Sequence, residues 1–299
     1  MMQAVGYYLT LPFLYLFSKL PFKVLYFISD LVYFLIYYVL GYRKKVVRLN
    51  LKRSFPEKNT QELTDIEKKF YRYITDMTLE TIKCITISQE ELKKRVVLKD
   101  DRILQELYAK GRNVIITMGH YGNHELVNLA LPHTIPHIPK AVYRPLSNKY
   151  FDNFFKNWRE RFGGKMIAMA DAQIEIRKTE ERPFAFFLVN DQSAPPERAY
   201  RTTFLNQETF YFTGPERFAK GFDLPVVFLR TEMPKRGYYE LYFELISETP
   251  KELAPNEILE IHSKKLERDI IDRPELWFWS HKRWKYKLVD GEYQGVNYH

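Results

Sequence analysis

With one cysteine in 299 residues, Cys84, the chain cannot close an internal disulfide, which fits a reducing compartment. Internal repeats and low-complexity tracts are absent too, as is any linker long enough to divide residues 60–299, so that stretch reads as one domain. No RNA- or DNA-binding module is recognisable, which argues against nucleic acid as a partner. The N-terminal region lacks a small-residue cleavage site, so it is not a typical signal peptide. A mean hydropathy of −0.39 argues against a polytopic membrane protein. What the chain has in excess is positive charge and aromatic rings. Its net charge is +9, and 22 Tyr, 22 Phe and 4 Trp bring the aromatic share to 16%. The first points to acidic partners such as anionic lipid, a phosphorylated substrate or an acidic carrier protein, and the second suits a bilayer interface.

Residues 4–42 are nearly free of charge, interrupted by Lys19, Lys23 and Asp30. Residues 24–40 form the best apolar run, close to the minimum for a span, with Asp30 inside it. Pro12 and Pro21 divide the segment into a short helix and a longer one. Residues 1–41 are therefore expected to be a non-cleaved membrane anchor, spanning once or lying in one leaflet, with 42–299 as the catalytic domain. The bland alternative is a buried core hairpin. Arg43, Lys44, Lys45, Arg48, Lys52 and Arg53 follow at once, with Val47, Leu51 and Phe55 as an apolar line at helical spacing. This basic amphipathic helix suits anionic headgroups, and by the positive-inside rule it places the domain in the cytoplasm.

The remainder alternates. Strands are expected at 96–99, 114–117, 141–143, 166–169, 184–189, 225–230 and 238–246. Helices are expected within 60–95 and at 100–110, 147–161, 171–179, 214–220 and 256–270. The pattern predicts an α/β fold, a central sheet flanked by helices. Between the strand at 114–117 and the next helix lies Gly119-His120-Tyr121-Gly122-Asn123-His124-Glu125. Gly119 and Gly122 allow sharp turns and Asn123 can cap the helix. In a continuous helix His120 and Glu125 would stand about 140° apart. With His120 still in the turn, Glu125 is expected to fold back onto the imidazole and hold it as a general base. His120 and His124 are spaced like zinc ligands. Gly122 between them, and a glutamate after the second histidine instead of the first, set that reading aside; no metal and no cofactor is expected.

Further blocks follow in order. Tyr143-Arg144-Pro145 closes a strand, and Arg144 can bind a phosphate or oxyanion, or form a structural salt bridge. Asn190-Asp191-Gln192 ends the apolar strand 184–189; Asp191 can pair with Arg144, orient the acceptor or cap a turn. Thr213-Gly214-Pro215 opens a helix. Trp277, His281 and Trp284 share a face if their stretch is helical, with Trp277 supporting the core and Arg283 at a groove edge or carrier contact.

The His120–Glu125 block resembles the bacterial lipid A biosynthesis (lauroyl/myristoyl) acyltransferase family, within the lysophospholipid/glycerolipid acyltransferase superfamily. The likeness extends to Tyr143-Arg144-Pro145, Asp191-Gln192, Thr213-Gly214-Pro215 and the segment from Trp277 to Lys285. His124 stands where that family usually has tryptophan, and Asn190 where it has alanine. The resemblance implies O-acyl transfer at the cytoplasmic face of a bacterial inner membrane. The donor would be an acyl carrier protein or acyl-CoA thioester and the acceptor a hydroxyl of an anionic lipid A precursor. His120 and Glu125 would be catalytic, and Arg144, Asp191, Gly122 and Asn123 would bind substrate. The rivals are an acyltransferase for a lysophospholipid or amino-acid lipid, and a non-enzymatic membrane-surface protein.

Overall fold

The computed structural model describes residues 2–289 and 292–296. It opens with two helices, α1 (Met2–Lys19) and α2 (Phe22–Phe34), and α2 runs on into a π-helical turn at Leu35–Leu40. Of the two prolines expected to break this stretch, only Pro21 does so. Pro12 lies inside α1, where its ring removes a single helical N–H. Tyr7 and Tyr15, on either side of it, both pack on the Phe154 ring, which holds the helix continuous.

In α3 (Lys44–Ser54), Val47 and Leu51 are buried, as is Phe55 just beyond it, in line with their spacing. Part of the basic charge is used inside the protein: Arg43 donates to the Ser280 carbonyl, Lys44 to that of Tyr37 and Arg48 to Glu67. Lys45, Lys52 and Arg53 stay exposed. The long helix α4 (Thr60–Lys83) starts with a capping box, in which Asn59 and Glu62 satisfy each other's amides. Its inner face carries three buried acids, Glu67, Asp76 and Glu80, and buried carboxylates need donors. Glu80 accepts from Tyr26 of α2, from Asn123 and from Tyr239. Asp76 accepts from Ser29 of α2 and from Arg236, which also holds Asp30 at 2.8 Å. The charge inside the apolar run is thus one arm of an ion-paired cluster.

The chain continues through α5 (Gln89–Arg95), β1 (Val96–Asp100), α6 (Arg102–Ala109), β2 (Val114–Met118), α7 (His124–Thr134), β3 (Ile138–Tyr143), α8 (Lys149–Glu160) and β4 (Lys165–Ala168). Then come α9 (Ala172–Glu175), β5 (Phe184–Val189), β6 (Ala199–Phe204), β7 (Gln207–Phe212), α10 (Gly214–Phe222), β8 (Val226–Lys235), β9 (Tyr238–Ser247), α11 (Glu257–Asp272), β10 (Tyr286–Val289) and β11 (Glu292–Gly295). One seven-stranded sheet has the order β1-β9-β8-β2-β5-β3-β4. Strands β8, β2, β5, β3 and β4 are parallel, whereas β9 runs antiparallel to β8 and carries β1 with it. Each of the seven falls on a segment that the sequence marks as a strand, and helices flank the sheet, as expected of an α/β fold.

Central β2 is buried at all five positions, the mark of a parallel strand covered on both faces. Val114, Ile116 and Met118 pack with Leu126 and Leu129 of α7, and Ile115 packs with Ala219 of α10 and Ile258 of α11. The β6–β7 hairpin was not anticipated. Leu205 and Asn206 turn it with φ of 49° and 60°, the left-handed pair of a two-residue hairpin loop. Leucine there hides the turn from composition.

Candidate active site

Parallel pairing sets Met118 of β2 opposite Val189 of β5, and the ladder takes one further step where the Asn190 amide donates to the Met118 carbonyl at 3.0 Å. His120 and Asp191 each lie two residues past the last ladder pair. They therefore leave the carboxyl edge of the sheet side by side, where α/β folds place their chemistry. Asp191 Oδ1 lies 2.5 Å from His120 Nδ1, and its Oδ2 accepts from the His120 amide and from the Trp277 indole, both at 2.8 Å. Trp277 is brought there by an antiparallel bridge to Tyr121.

The electrostatics of the pair follow. Burial would raise the Asp191 pKa, but the facing imidazolium and the three N–H donors hold it well below the usual carboxylate range. Burial likewise disfavours charge on His120, yet the Asp191 carboxylate outweighs it and lifts the imidazole above its ordinary value. An ionised carboxylate only accepts hydrogen bonds, so in the neutral ring Nδ1 carries the proton and Nε2 keeps its lone pair. The ring is 21% exposed against 3% for Asp191, and Gln192 Nε2 stands 3.4 Å from Nε2.

Gly119 makes this approach possible. A Cβ there would come within 2.7 Å of Leu266 Cδ1 and 3.3 Å of Asp191 Oδ2. Gly119→Ala is expected to destabilise the protein by about 1–3 kcal/mol through overpacking and to lower turnover by displacing Asp191. Chemical denaturation and a turnover assay on one preparation check both; an unchanged turnover number would show that the approach has slack.

The carboxylate on the imidazole is thus Asp191 and not Glu125, which corrects the sequence expectation. Asn123 caps α7 by accepting from the amides of Glu125 and Leu126, and this start turns Glu125 toward α8. There Arg159 grips it with two hydrogen bonds, Nε to Oε2 at 2.8 Å and Nη2 to Oε1 at 2.5 Å. Burial opposes ionisation of Glu125, but Arg159 outweighs it and lowers its pKa. Glu125→Gln leaves the guanidinium with half its partner. We expect a loss of about 3 kcal/mol, as for a broken buried pair, with the acid limb of the pH–rate profile nearly unmoved. Calorimetry and a pH series test this, and a large move of that limb would restore Glu125 to the imidazole.

The other expected site residues divide. Asn123 is fully buried, spent on the cap and on Glu80. The Gly122 amide donates to the Leu276 carbonyl and its φ is +70°, so it shapes the turn and that amide is not free for a substrate. Arg144 lies just past β3, exposed, at the same edge of the sheet and separated from β2 by β5. Asp191 does not pair with it. His124 packs edge-on against His120, centroids 5.1 Å apart; burial and the neighbouring imidazole push its pKa down to about 4. Among the described residues no three His, Cys, Asp or Glu side chains converge as a metal-donor set.

The stretch after Leu276 is a bend, not a helix. Arg283 is buried, donates to the Phe210 carbonyl at 2.8 Å and lies over Tyr211, which replaces the expected groove-edge role. Trp277 is buried as expected but also binds Asp191. Gln192 and Arg159 entered the site without being singled out. Gln192 had the signal of sitting beside Asp191; Arg159 had none, since its partner is 34 residues away.

A family model described as bacterial lipid A biosynthesis acyltransferase matches residues 1–286. A comparison with curated proteins returned no match.

Proposed function

The chain belongs to the bacterial lipid A biosynthesis acyltransferase family and is an acyltransferase, and from that premise we propose that it moves an acyl chain from a carrier-protein or CoA thioester to a hydroxyl of a lipid A precursor. His120 Nε2 takes the proton of the acceptor hydroxyl, the oxygen attacks the thioester carbonyl, and the C–S bond breaks as the tetrahedral intermediate collapses. The departing thiolate recovers the proton from the imidazolium. Asp191 is a positioning residue that fixes the tautomer and balances the charge formed on the ring. Arg144, an exposed guanidinium at the same edge, would take a phosphate of the acceptor. Because the thioester is already activated, positioning and proton transfer suffice. The reading carries with it a place at the cytoplasmic face of the inner membrane, supported by the apolar helix at Phe22–Leu40.

The observation that carries it is the His120–Asp191 pair, in which the carboxylate engages Nδ1 and leaves Nε2 of a partly exposed ring outside the contact. The test is purified protein in detergent with acyl carrier protein thioester or acyl-CoA, offered a lipid A precursor, a lysophospholipid or an amino-acid lipid. A mass gain on the precursor is expected; a gain on another lipid alone would move the acceptor, and no acylated product from folded protein would sink the reading.

A further inference from the structure

We infer that α1 and α2 lie in the plane of one leaflet of an anionic bilayer, locked to the domain, although α2 and its π-helical turn make a 19-residue apolar helix long enough to cross. The inference rests on the membrane reading above and adds its topology. A spanning helix would have to leave the domain over most of its length. Instead Phe22, Leu25, Ser29, Tyr33 and Tyr37 are buried from one end to the other, at the spacing of a single helix face. Its polar groups are tied down as well, Tyr26 to Glu80, Ser29 to Asp76 and Asp30 to Arg236. Crossing would carry that acid-lined face of α4 into hydrocarbon or strip buried carboxylates of their donors.

The start of α1 supplies the second argument. If α2 crossed, α1 would lie on the side opposite the domain. But Asn148, at the start of α8, donates to the Gln3 carbonyl at 3.2 Å, and Tyr7 stacks on Tyr150. Lys83 of α4 donates to the carbonyls of Ser18 and Leu20 at the junction of the two helices. Both ends of the hairpin are therefore on the domain's side.

What remains outward is greasy. Leu9, Phe13 and Leu16 of α1 and Phe27, Leu31 and Phe34 of α2 are each 57–67% exposed. Lys19, Lys23, Lys45, Lys52 and Arg53 are exposed nearby in the chain, a complement to anionic headgroups. Since α1 rests on α8, which begins just after Arg144, the acceptor's phosphate would be met at the membrane surface and the lipid would not leave its leaflet.

The test uses the full chain with Cys84→Ala and a single new thiol, Gln3→Cys at the N-terminus or Lys94→Cys on the domain, in inner-membrane vesicles of known orientation. A membrane-impermeant maleimide is expected to label both variants from the same side and to the same extent. Label at Gln3→Cys only from the opposite side would overturn the in-plane arrangement and leave the membrane reading intact. If neither variant sediments with the vesicles, the membrane reading falls and this inference with it.

Discussion

Turnover of the His120→Ala variant is expected to fall by about 10²- to 10⁴-fold, the loss of a positioned general base. The side chain is partly exposed and closes no core layer, but it is half of a buried pair, so the variant should unfold at a lower denaturant concentration than the parent, by about 3 kcal/mol, and its turnover is read where it is still folded. Removing it also leaves the buried Asp191 carboxylate without its charged partner, although the His120 amide and the Trp277 indole still donate to it. Acylated-lipid yield under single-turnover conditions separates chemistry from binding and release. Turnover within tenfold of the parent would mean that another group accepts the proton.

Asp191→Asn is the sharper test, because it changes one atom and keeps the shape. Two donors, the His120 amide and the Trp277 indole, converge on Oδ2, so the asparagine oxygen is held at that place. Its NH₂ group then faces Nδ1, which must become the acceptor. The proton moves to Nε2 and the base is switched off by tautomer, at a cost of about 10²–10⁴ in kcat. The pH profile gives a second, independent reading. Asp191 raises the His120 pKa, and only the neutral ring accepts a proton, so activity in the parent is expected to be lost on the acid side at a pH above that of an ordinary histidine. Without the carboxylate the imidazolium is less stable, and the residual activity should persist to lower pH. A profile that stays in place would dissociate Asp191 from the ring's titration.

Much of the architecture was local enough to read. Runs such as Val114–Met118 and Phe184–Val189 are buried on both faces, so their composition alone marks them as inner strands of a parallel sheet, and their spacing by amphipathic helices sets the α/β layering. The β6–β7 hairpin escaped because Leu205 adopts a left-handed conformation that other residues favour. Glu125 was the natural partner for His120 when only distance along the chain was considered. The cap formed by Asn123 rotates it toward Arg159, whereas the register of β2 against β5 delivers Asp191 from 71 residues away. Hydropathy similarly recorded an apolar run at residues 24–40 but not which side of it the domain claims.

The seven strands, the turn that carries His120 and the family were legible along the chain, since each depends on residues close together in it. Which acid meets the imidazole, the Trp277 indole that donates to that acid, and the clamp of Arg236 on Asp30 emerged with the packed fold. Those contacts join distant segments, and strand register, helix direction and the need to pair buried charge fix them once the sheet has closed.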